Sequence, residues 1–274
     1  MVCLVEKTVK AEMLNIIVCM KIIIDPEAPF SDFKIDRENQ KPIPPSGTPP
    51  VFSPFDENAL ESALKIKDQR ECKVTILSLG RTLPRVILQK ALAVGADEAI
   101  AIEGPEFENL DPFSTAQILA NAIKKIGEYD LIFTGRQGAD WDAGLVWAGI
   151  AELLGLPSIT IARRAEIHDR KLIVERCVSD GLEVLESELP VVVTFTSEAG
   201  ELRSVALPAL IKAKRQKIPK WSASEMGFQK VNVVEIRDLY EPDLGNIDHY
   251  LVPGKSPEEK GHNLAKRLVE EGVL

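Results

Sequence analysis

The chain alternates short apolar runs with helix-like stretches from Asn15 to Gly155, and this alternation constrains its fold most strongly. The apolar runs occupy residues 16–20, 74–77, 99–102 and 131–133. Strands that are apolar throughout are buried on both faces, and intervening helices join such strands as right-handed crossovers. The pattern predicts an α/β fold, with an open parallel sheet carrying helices on both faces.

The positions of glycine and proline residues predict where the helices begin and end. Ser53 followed by Pro54 predicts an N-cap and the first position of a helix. Gly95 and Gly155 predict helix C-caps, and Asp142 is the expected N-cap of a helix that runs to residue 154. Residues 113–126 form the remaining predicted helix of this region. The proline-rich stretch between residues 26 and 50 predicts a long ordered loop or a hairpin.

After residue 157 the pattern changes to alternating strands and then to a charged tail. Short antiparallel strands are expected at residues 158–162, 171–176, 182–187 and 191–196, on the same core. The predicted organisation is an N-terminal extension (1–12), an α/β domain (13–210) and an extended C-terminal arm (211–274). The arm has little core of its own, so we expect it to pack on a partner chain, and a flexible terminus is the alternative.

Composition excludes several classes of protein. The 33 basic and 42 acidic residues give a net charge of −9, which disfavours a nucleic-acid partner. The four cysteines and three histidines lie far apart in sequence, so we expect no metal site, no disulfide framework and no histidine-based catalysis. No apolar run predicts a membrane span or a cleaved leader, and cysteine usage fits a reducing, cytoplasmic location.

Ligands of an open parallel sheet bind beyond the carboxyl ends of its strands. The segments expected there are Met20-Lys21, Ser78-Leu79-Gly80, Glu103-Gly104 and the loop 134–142. That loop contains Gly135 and Gly138 and leads into the predicted helix, whose first free amides form an anion site suited to phosphate. The alternative is that its glycines and Asp142 serve only as turn and cap residues. The loop is neither a Walker motif nor GxGxxG.

A second candidate segment follows the last predicted strand. Residues 197–208 form a loop, and residues 211–217 (Ile-Lys-Ala-Lys-Arg-Gln-Lys) form a basic stretch on an otherwise acidic chain. A solvated charged surface is the alternative interpretation of this stretch.

These residues resemble the electron transfer flavoprotein beta subunits. The collinear matches run from about Asn15 to Lys217: NIIVCMK at 15–21, SPFDENALE at 53–61, ALAVGAD at 91–97, TGRQ at 134–137, AELLGLP at 151–157 and LPALIKAK at 207–214. The chain departs from the family pattern in three places. Ser53 replaces the usual Asn, residues 200–203 (GELR) replace NEPR, and apolar residues replace polar ones after Asp142, so backbone amides must substitute for side-chain donors.

The resemblance implies a Rossmann-like, adenine-nucleotide-binding domain and assigns site residues. Implied partner-docking residues are Leu207, Pro208, Ile211, Lys212 and Lys214. Implied nucleotide-binding residues are Cys19, Met20, Lys21, Ser53, Ser78, Leu79, Gly80, Gly135, Gln137, Asp140, Asp142, Ala143, Gly144, Leu145 and Val146.

The resemblance also implies a function. The chain would form a heterodimer with an alpha subunit that carries FAD, would itself hold AMP or a second FAD, and would shuttle electrons for an acyl-CoA dehydrogenase-type flavoenzyme, or from NADH if it is bifurcating. It would be an electron carrier and not an enzyme. A non-redox adenine-nucleotide sensor or stress-type module is the alternative. An ATP-cleaving synthetase of similar topology would need an SGGxDS-like loop after the first strand, where this chain has Lys21 and three isoleucines.

Overall fold

The computed structural model describes residues 13–29, 33–228, 233–234, 236–240 and 249–274, so the predicted N-terminal extension lies outside the described residues. The strands, numbered along the chain, are β1 (Leu14–Cys19), β2 (Ile22–Ile24), β3 (Lys34–Asp36), β4 (Lys41–Ile43), β5 (Pro50–Phe52), β6 (Cys72–Gly80), β7 (Glu98–Glu103), β8 (Leu131–Gly135), β9 (Ser158–His168), β10 (Lys171–Val178), β11 (Gly181–Glu188), β12 (Val191–Phe195) and β13 (Lys220–Trp221). The α-helices are α1 (Pro54–Gln69), α2 (Arg85–Val94), α3 (Pro112–Ile126), α4 (Val146–Leu154), α5 (Leu207–Ala213) and α6 (Pro257–Glu270).

A mostly parallel sheet of nine strands organises the described part of the chain. Its order is β11-β10-β9-β12-β8-β1-β6-β7-β13. All neighbouring pairs are parallel except β9 with β10 and β10 with β11. Smaller antiparallel pairs join β2 to β5 and β3 to β4, so the proline-rich stretch forms a hairpin. The predicted α/β fold class is confirmed.

Helices cover both faces of the central strands, as the period-two alternation of a doubly buried strand requires. In β1, Ile16 and Val18 pack into one apolar cluster with α1 and α2. Ile17 and Cys19 point the opposite way, into a second cluster with α3 and α4. The two clusters together form the core of the domain.

The prediction of short antiparallel strands is only partly right. β9 and β10 continue to His168 and Val178, well beyond the predicted ends. β12 is parallel to both of its neighbours, β8 and β9. All five residues of β12 are buried, as expected for a strand covered on both faces. β12 inserts between β9 and β8 and does not pair with β11, the strand that precedes it in sequence.

One strand end and one helix start also differ from prediction. Ser78, Leu79 and Gly80 are the last residues of β6 and do not form a turn after it. Helix α4 begins at Val146 and not at Asp142, because Asp142 (φ 49°) and Gly144 (φ 60°) adopt left-handed backbone conformations that an α-helix excludes. The other helices begin and end within a residue or two of the predicted positions where these were given.

The first part of the predicted C-terminal arm contacts the α/β domain. The boundary predicted after residue 210 falls within α5, which packs on α2. β13 pairs with β7 and forms the edge of the sheet, and Met226 is buried in the second core cluster. Helix α6, in contrast, buries none of its residues among the described ones. No helix of the described part is long and apolar enough to cross a membrane.

Candidate nucleotide site

The strand order makes the space beyond the carboxyl ends of β1 and β8, which we call the crevice, a topological switch point. From β1 the chain proceeds to β6 and β7 on one side and then returns to β8 on the other, so the connections diverge at this point. Such a switch point is where open α/β sheets bind ligands. The loops that follow the two strands meet here, since Lys21 Nζ lies 2.6 Å from Asp140 Oδ2.

Asp56, which is absent from the predicted site, joins the three elements around the crevice. It lies in the first turn of α1, and its carboxylate accepts hydrogen bonds from the amides of Lys21 (2.7 Å) and Gly135 (2.8 Å). Burial raises the pKa of Asp56 to about 7, and the two amides and the Lys21 ammonium oppose that rise. The sequence indicates a carboxylate in the first turn of α1, but its contacts with the two strand ends depend on long-range packing and give no local signal.

Gly135 permits the close approach of β8 to α1. A Cβ atom at this position would lie 2.6 Å from Phe55 Cβ and 2.7 Å from Asp56 Oδ1, closer than such atoms can come. Residue 135 must therefore be glycine for β8 to come this close to α1. Glycine commonly occupies positions where the backbone makes such a close approach.

The loop after Gly135 is ordered by contacts with its own residues and with α1. The Arg136 guanidinium stacks over the Phe55 ring at 4.5 Å. Gln137 Nε2 donates to Asp142 Oδ1 (2.7 Å), and the Ser53 hydroxyl accepts from the amide of Ala139 (3.3 Å). Ser53 occupies the N-cap position of α1, but its side chain makes no capping hydrogen bond and instead contacts the loop.

Only part of the predicted anion-binding set belongs to a helix. With α4 beginning at Val146, that residue supplies a first-turn amide, whereas Ala143, Gly144 and Leu145 lie in the loop before it. The amides of these three loop residues donate to no acceptor among the described residues. Successive amides around left-handed residues can form an anion-binding concavity. The backbone thus offers donors of the kind a phosphate needs, though not in the helical arrangement predicted.

The remaining predicted nucleotide-binding residues lie at or next to the carboxyl ends of β1 and β6. Met20 lies in the first core cluster, and its amide donates to Leu77 O (2.9 Å). Burial, with the nearby Asp56 carboxylate, raises the pKa of the Cys19 thiol, which therefore stays neutral. The Ser78 hydroxyl is fully buried and has no hydrogen-bond partner in the described part of the chain. Leu79 and Gly80 are half-buried.

The predicted docking residues lie together on α5, away from the crevice loops in sequence. Leu207 is the first residue of this helix, and 70% of its surface is exposed. Pro208, Ile211, Lys212 and Lys214 are exposed as well. Leu207 therefore does not fill the core of this chain. No group of three or more potential metal ligands occurs among the residues that the structure describes.

The fold defines an α/β protein of the mostly parallel-sheet class, in which the topological switch point is the candidate ligand site. Residues 46–226 match the model of the electron transfer flavoprotein domain. The electron transfer flavoprotein subunit beta of Thermoanaerobacterium thermosaccharolyticum is 38% identical over 204 residues, which cover 74% of this chain and 76% of that protein.

Two further relatives carry more specific names. The Caffeyl-CoA reductase-Etf complex subunit CarD of Acetobacterium woodii is 34% identical, and the alignment covers 95% of this chain and 100% of CarD. Protein FixA of Azorhizobium caulinodans is 32% identical over 82% of this chain and 80% of FixA. The chain belongs to the electron transfer flavoprotein family, as a beta-type member, and the resemblance seen in its motifs is confirmed.

Proposed function

We propose that this chain works as the beta subunit of a heterodimer whose alpha subunit carries FAD, and that the heterodimer passes electrons between flavoenzymes. The observation that carries this proposal is the crevice between β1 and β8, within a chain that matches the family over most of its length. We place the complex in the cytoplasm, and the free cysteines Cys19, Cys72 and Cys177 of the described part support a reducing compartment.

The crevice is proposed to hold an adenine nucleotide, either AMP or a second FAD. Its chemistry fits a phosphate group, because the amides of Ala143, Gly144 and Leu145 have no acceptor among the described residues. The Lys21 ammonium beside this loop is paired with Asp140, so it would have to turn from that carboxylate to contact the phosphate. If the occupant is FAD, its flavin supplies the redox chemistry, while the residues of this chain bind and orient it.

The nucleotide proposal is tested by equilibrium dialysis of the purified complex against AMP and against FAD, with Gly144→Pro as the variant. Gly144 has a φ of 60°, which proline cannot adopt, so the variant loses the amide and the turn. Gly47→Pro is the control, because Gly47 (φ 91°) conflicts with proline in the same way but lies in the exposed loop between β4 and β5. If Gly144→Pro retains as much nucleotide as the wild type, the nucleotide does not bind in the crevice.

The electron partner is proposed to be an acyl-CoA dehydrogenase-type flavoenzyme that docks on α5. The exposed Leu207 would enter an apolar pocket of the partner, while Lys212 and Lys214 would attract an acidic surface. NADH-dependent bifurcation is a second candidate, with an acceptor of the kind that the name of the similar Caffeyl-CoA reductase-Etf complex subunit CarD indicates, a CoA-thioester reductase. The FAD-to-AMP ratio of the purified complex separates the two, because bifurcation requires a second flavin in addition to that of the alpha subunit.

The non-redox sensor is not favoured, given the family to which the chain belongs. A visible spectrum of the chain purified with its alpha subunit tests this directly. We expect flavin absorbance that is bleached by a reduced dehydrogenase. A complex without flavin absorbance would overturn the electron-transfer function.

A further inference from the structure

The segment 199–203 begins at the end of a short 3₁₀ helix (Ser197–Ala199) and has no regular structure after it. It precedes the docking helix α5 and is held in place by side chains of α1. Asn58 Nδ2 donates to Gly200 O (2.7 Å), and Lys65 Nζ donates to Ala199 O (2.7 Å). These positions and Glu61 and Asp68 recur at intervals of three and four residues, so they form one stripe along the helix. The stripe is distinct from the apolar face that α1 turns to the core.

Arg203 makes the densest set of contacts to this stripe. Its amide donates to Glu61 Oε2 (3.0 Å), and its guanidinium donates to both Glu61 oxygens, with Nη2 at 3.0 Å from Oε1 and Nε at 3.1 Å from Oε2. The same guanidinium reaches Asp68 through Nη2 (2.7 Å) and Nη1 (3.2 Å). The guanidinium of one arginine is therefore shared between two carboxylates about two helical turns apart.

The two carboxylates differ in burial and therefore in importance. The side chain of Glu61 is 8% exposed, whereas that of Asp68 is 58% exposed. Hydrogen bonds to Asp68 and Glu61 raise the pKa of Arg203, and Arg203 in turn lowers the pKa of Asp68. An exposed pair contributes little, but a buried charge that loses its partner is strongly unfavourable. Glu61 is thus the carboxylate that fixes Arg203.

Fixing Arg203 also fixes the start of α5, which begins four residues later at Leu207. Leu202 and Val205, on either side of Arg203 and before the helix, pack partly buried against the first core cluster. At its other side α5 contacts α2. The helix is therefore supported by α2 and by the Arg203 attachment to α1, while Leu207 itself stays exposed.

We propose that Glu61 is a positioning residue for partner docking, and that through Arg203 it holds Leu207 in the orientation that enters the partner. This inference rests on the docking role proposed for α5. Glu61 lies outside the predicted site because a glutamate in a helix gives no signal, from sequence alone, of a partner 142 positions away. It acts through Arg203 and need not touch the partner.

The test compares Glu61→Gln with Asp68→Asn in the complete alpha-beta complex, using a purified short-chain acyl-CoA dehydrogenase as electron donor. We expect Glu61→Gln to raise the KM for the dehydrogenase roughly tenfold, the scale of one lost charged hydrogen bond, with kcat, bound nucleotide and heterodimer content unchanged. Asp68→Asn should behave as wild type. Amide hydrogen exchange of residues 201–213 should accelerate in Glu61→Gln only.

Arg203→Lys is the second variant, for use if Glu61→Gln does not fold. It keeps the positive charge but loses the paired guanidinium hydrogen bonds, so it should reproduce the rise in KM and the faster exchange. Unchanged exchange of residues 201–213 in both variants would overturn the positioning role. If exchange accelerates while even the wild-type complex accepts no electrons from the dehydrogenase, the positioning of the segment stands and the proposed docking function fails instead. Equal losses of kcat, nucleotide and heterodimer would show a structural role only, and would also overturn the inference.

Discussion

The carboxylate of Asp56 accepts a hydrogen bond of 2.8 Å from the amide of Gly135, and this contact ties the start of α1 to the end of β8. The second oxygen of the same carboxylate accepts from the amide that follows β1, at Lys21. One buried side chain therefore sets the separation of the two strand ends that border the crevice. Its ionisation is coupled to the stability of the whole domain.

Asp56 should make stability depend on pH near neutrality. Burial raises the pKa of Asp56 to about 7 from an ordinary value of 3.8. Because the folded-state value is the higher one, the carboxyl favours folding fully below about pH 4 and loses that contribution as pH rises through about 7. We expect the free energy of unfolding of the wild type, relative to that of Asp56→Asn, to fall over this range. Urea titrations at a series of pH values measure it, and a difference that rises with pH would contradict the burial argument.

Replacing Gly135 should destabilise the protein. In Gly135→Ala the new methyl group would overlap Phe55 and the Asp56 carboxylate, so the strand end or the helix must shift, at a cost of about 1–3 kcal/mol. Gly261→Ala is the matched control, because no atom lies within 4 Å of a Cβ there and alanine favours the helix. Chemical unfolding of both variants gives the comparison. Equal unfolding midpoints for Gly135→Ala and Gly261→Ala would show that β8 and α1 can move apart without loss of stability.

Truncating Leu207 should impair docking without affecting folding. Leu207 is exposed, so Leu207→Ala should melt with the wild type, while the rate of dissociation from an acyl-CoA dehydrogenase should rise roughly tenfold or more. Val184→Ala, equally exposed on β11 at the opposite end of the sheet from β7, is the control. Stopped-flow electron transfer provides the measurement. A variant that loses its alpha subunit instead would place Leu207 in the heterodimer interface.

Residues 249–274 should be needed for the heterodimer but not for the domain. They include α6, which buries nothing among the described residues, and carry exposed apolar side chains such as Leu251, Val269 and Leu274. Deleting them should leave cooperative unfolding intact and abolish one-to-one coelution with the alpha subunit on size exclusion, since large permanent interfaces bury such surface. A truncated chain that still coelutes would place the interface elsewhere.

The central strands could be predicted because their residues satisfy two constraints at once. The run 131–133 is apolar throughout, and only a strand covered on both faces can bury Leu131, Ile132 and Phe133 together. The position of β12 could not be predicted, because pairing between strands distant in sequence depends on the order of the sheet and not on local pattern.

Which residues of the candidate site come together can be predicted where this depends on strand ends, but not where it depends on long-range side-chain contacts. Lys21 and Asp140 follow two strands, so the topology alone brings them to one edge. Asp56 bonds to a residue 79 positions away, and nothing in the helix pattern of α1 distinguishes it from a first-turn aspartate. The start of α4 was missed because Asp142 takes a left-handed conformation in which it bonds Gln137 and not the helix.

The close packing of Gly135 on Phe55 also limits evolutionary drift in this protein. The end of β8 and the start of α1 leave no room for a side chain at residue 135, so neither can be altered unless the other is altered with it. Gln137 and Asp142, in contrast, bond each other at the exposed rim, where paired replacements disturb no core atom. A change in ligand preference can therefore accumulate in the rim of the crevice while its walls stay constant, which makes residues 137–145 the natural target for redesigning what this chain binds.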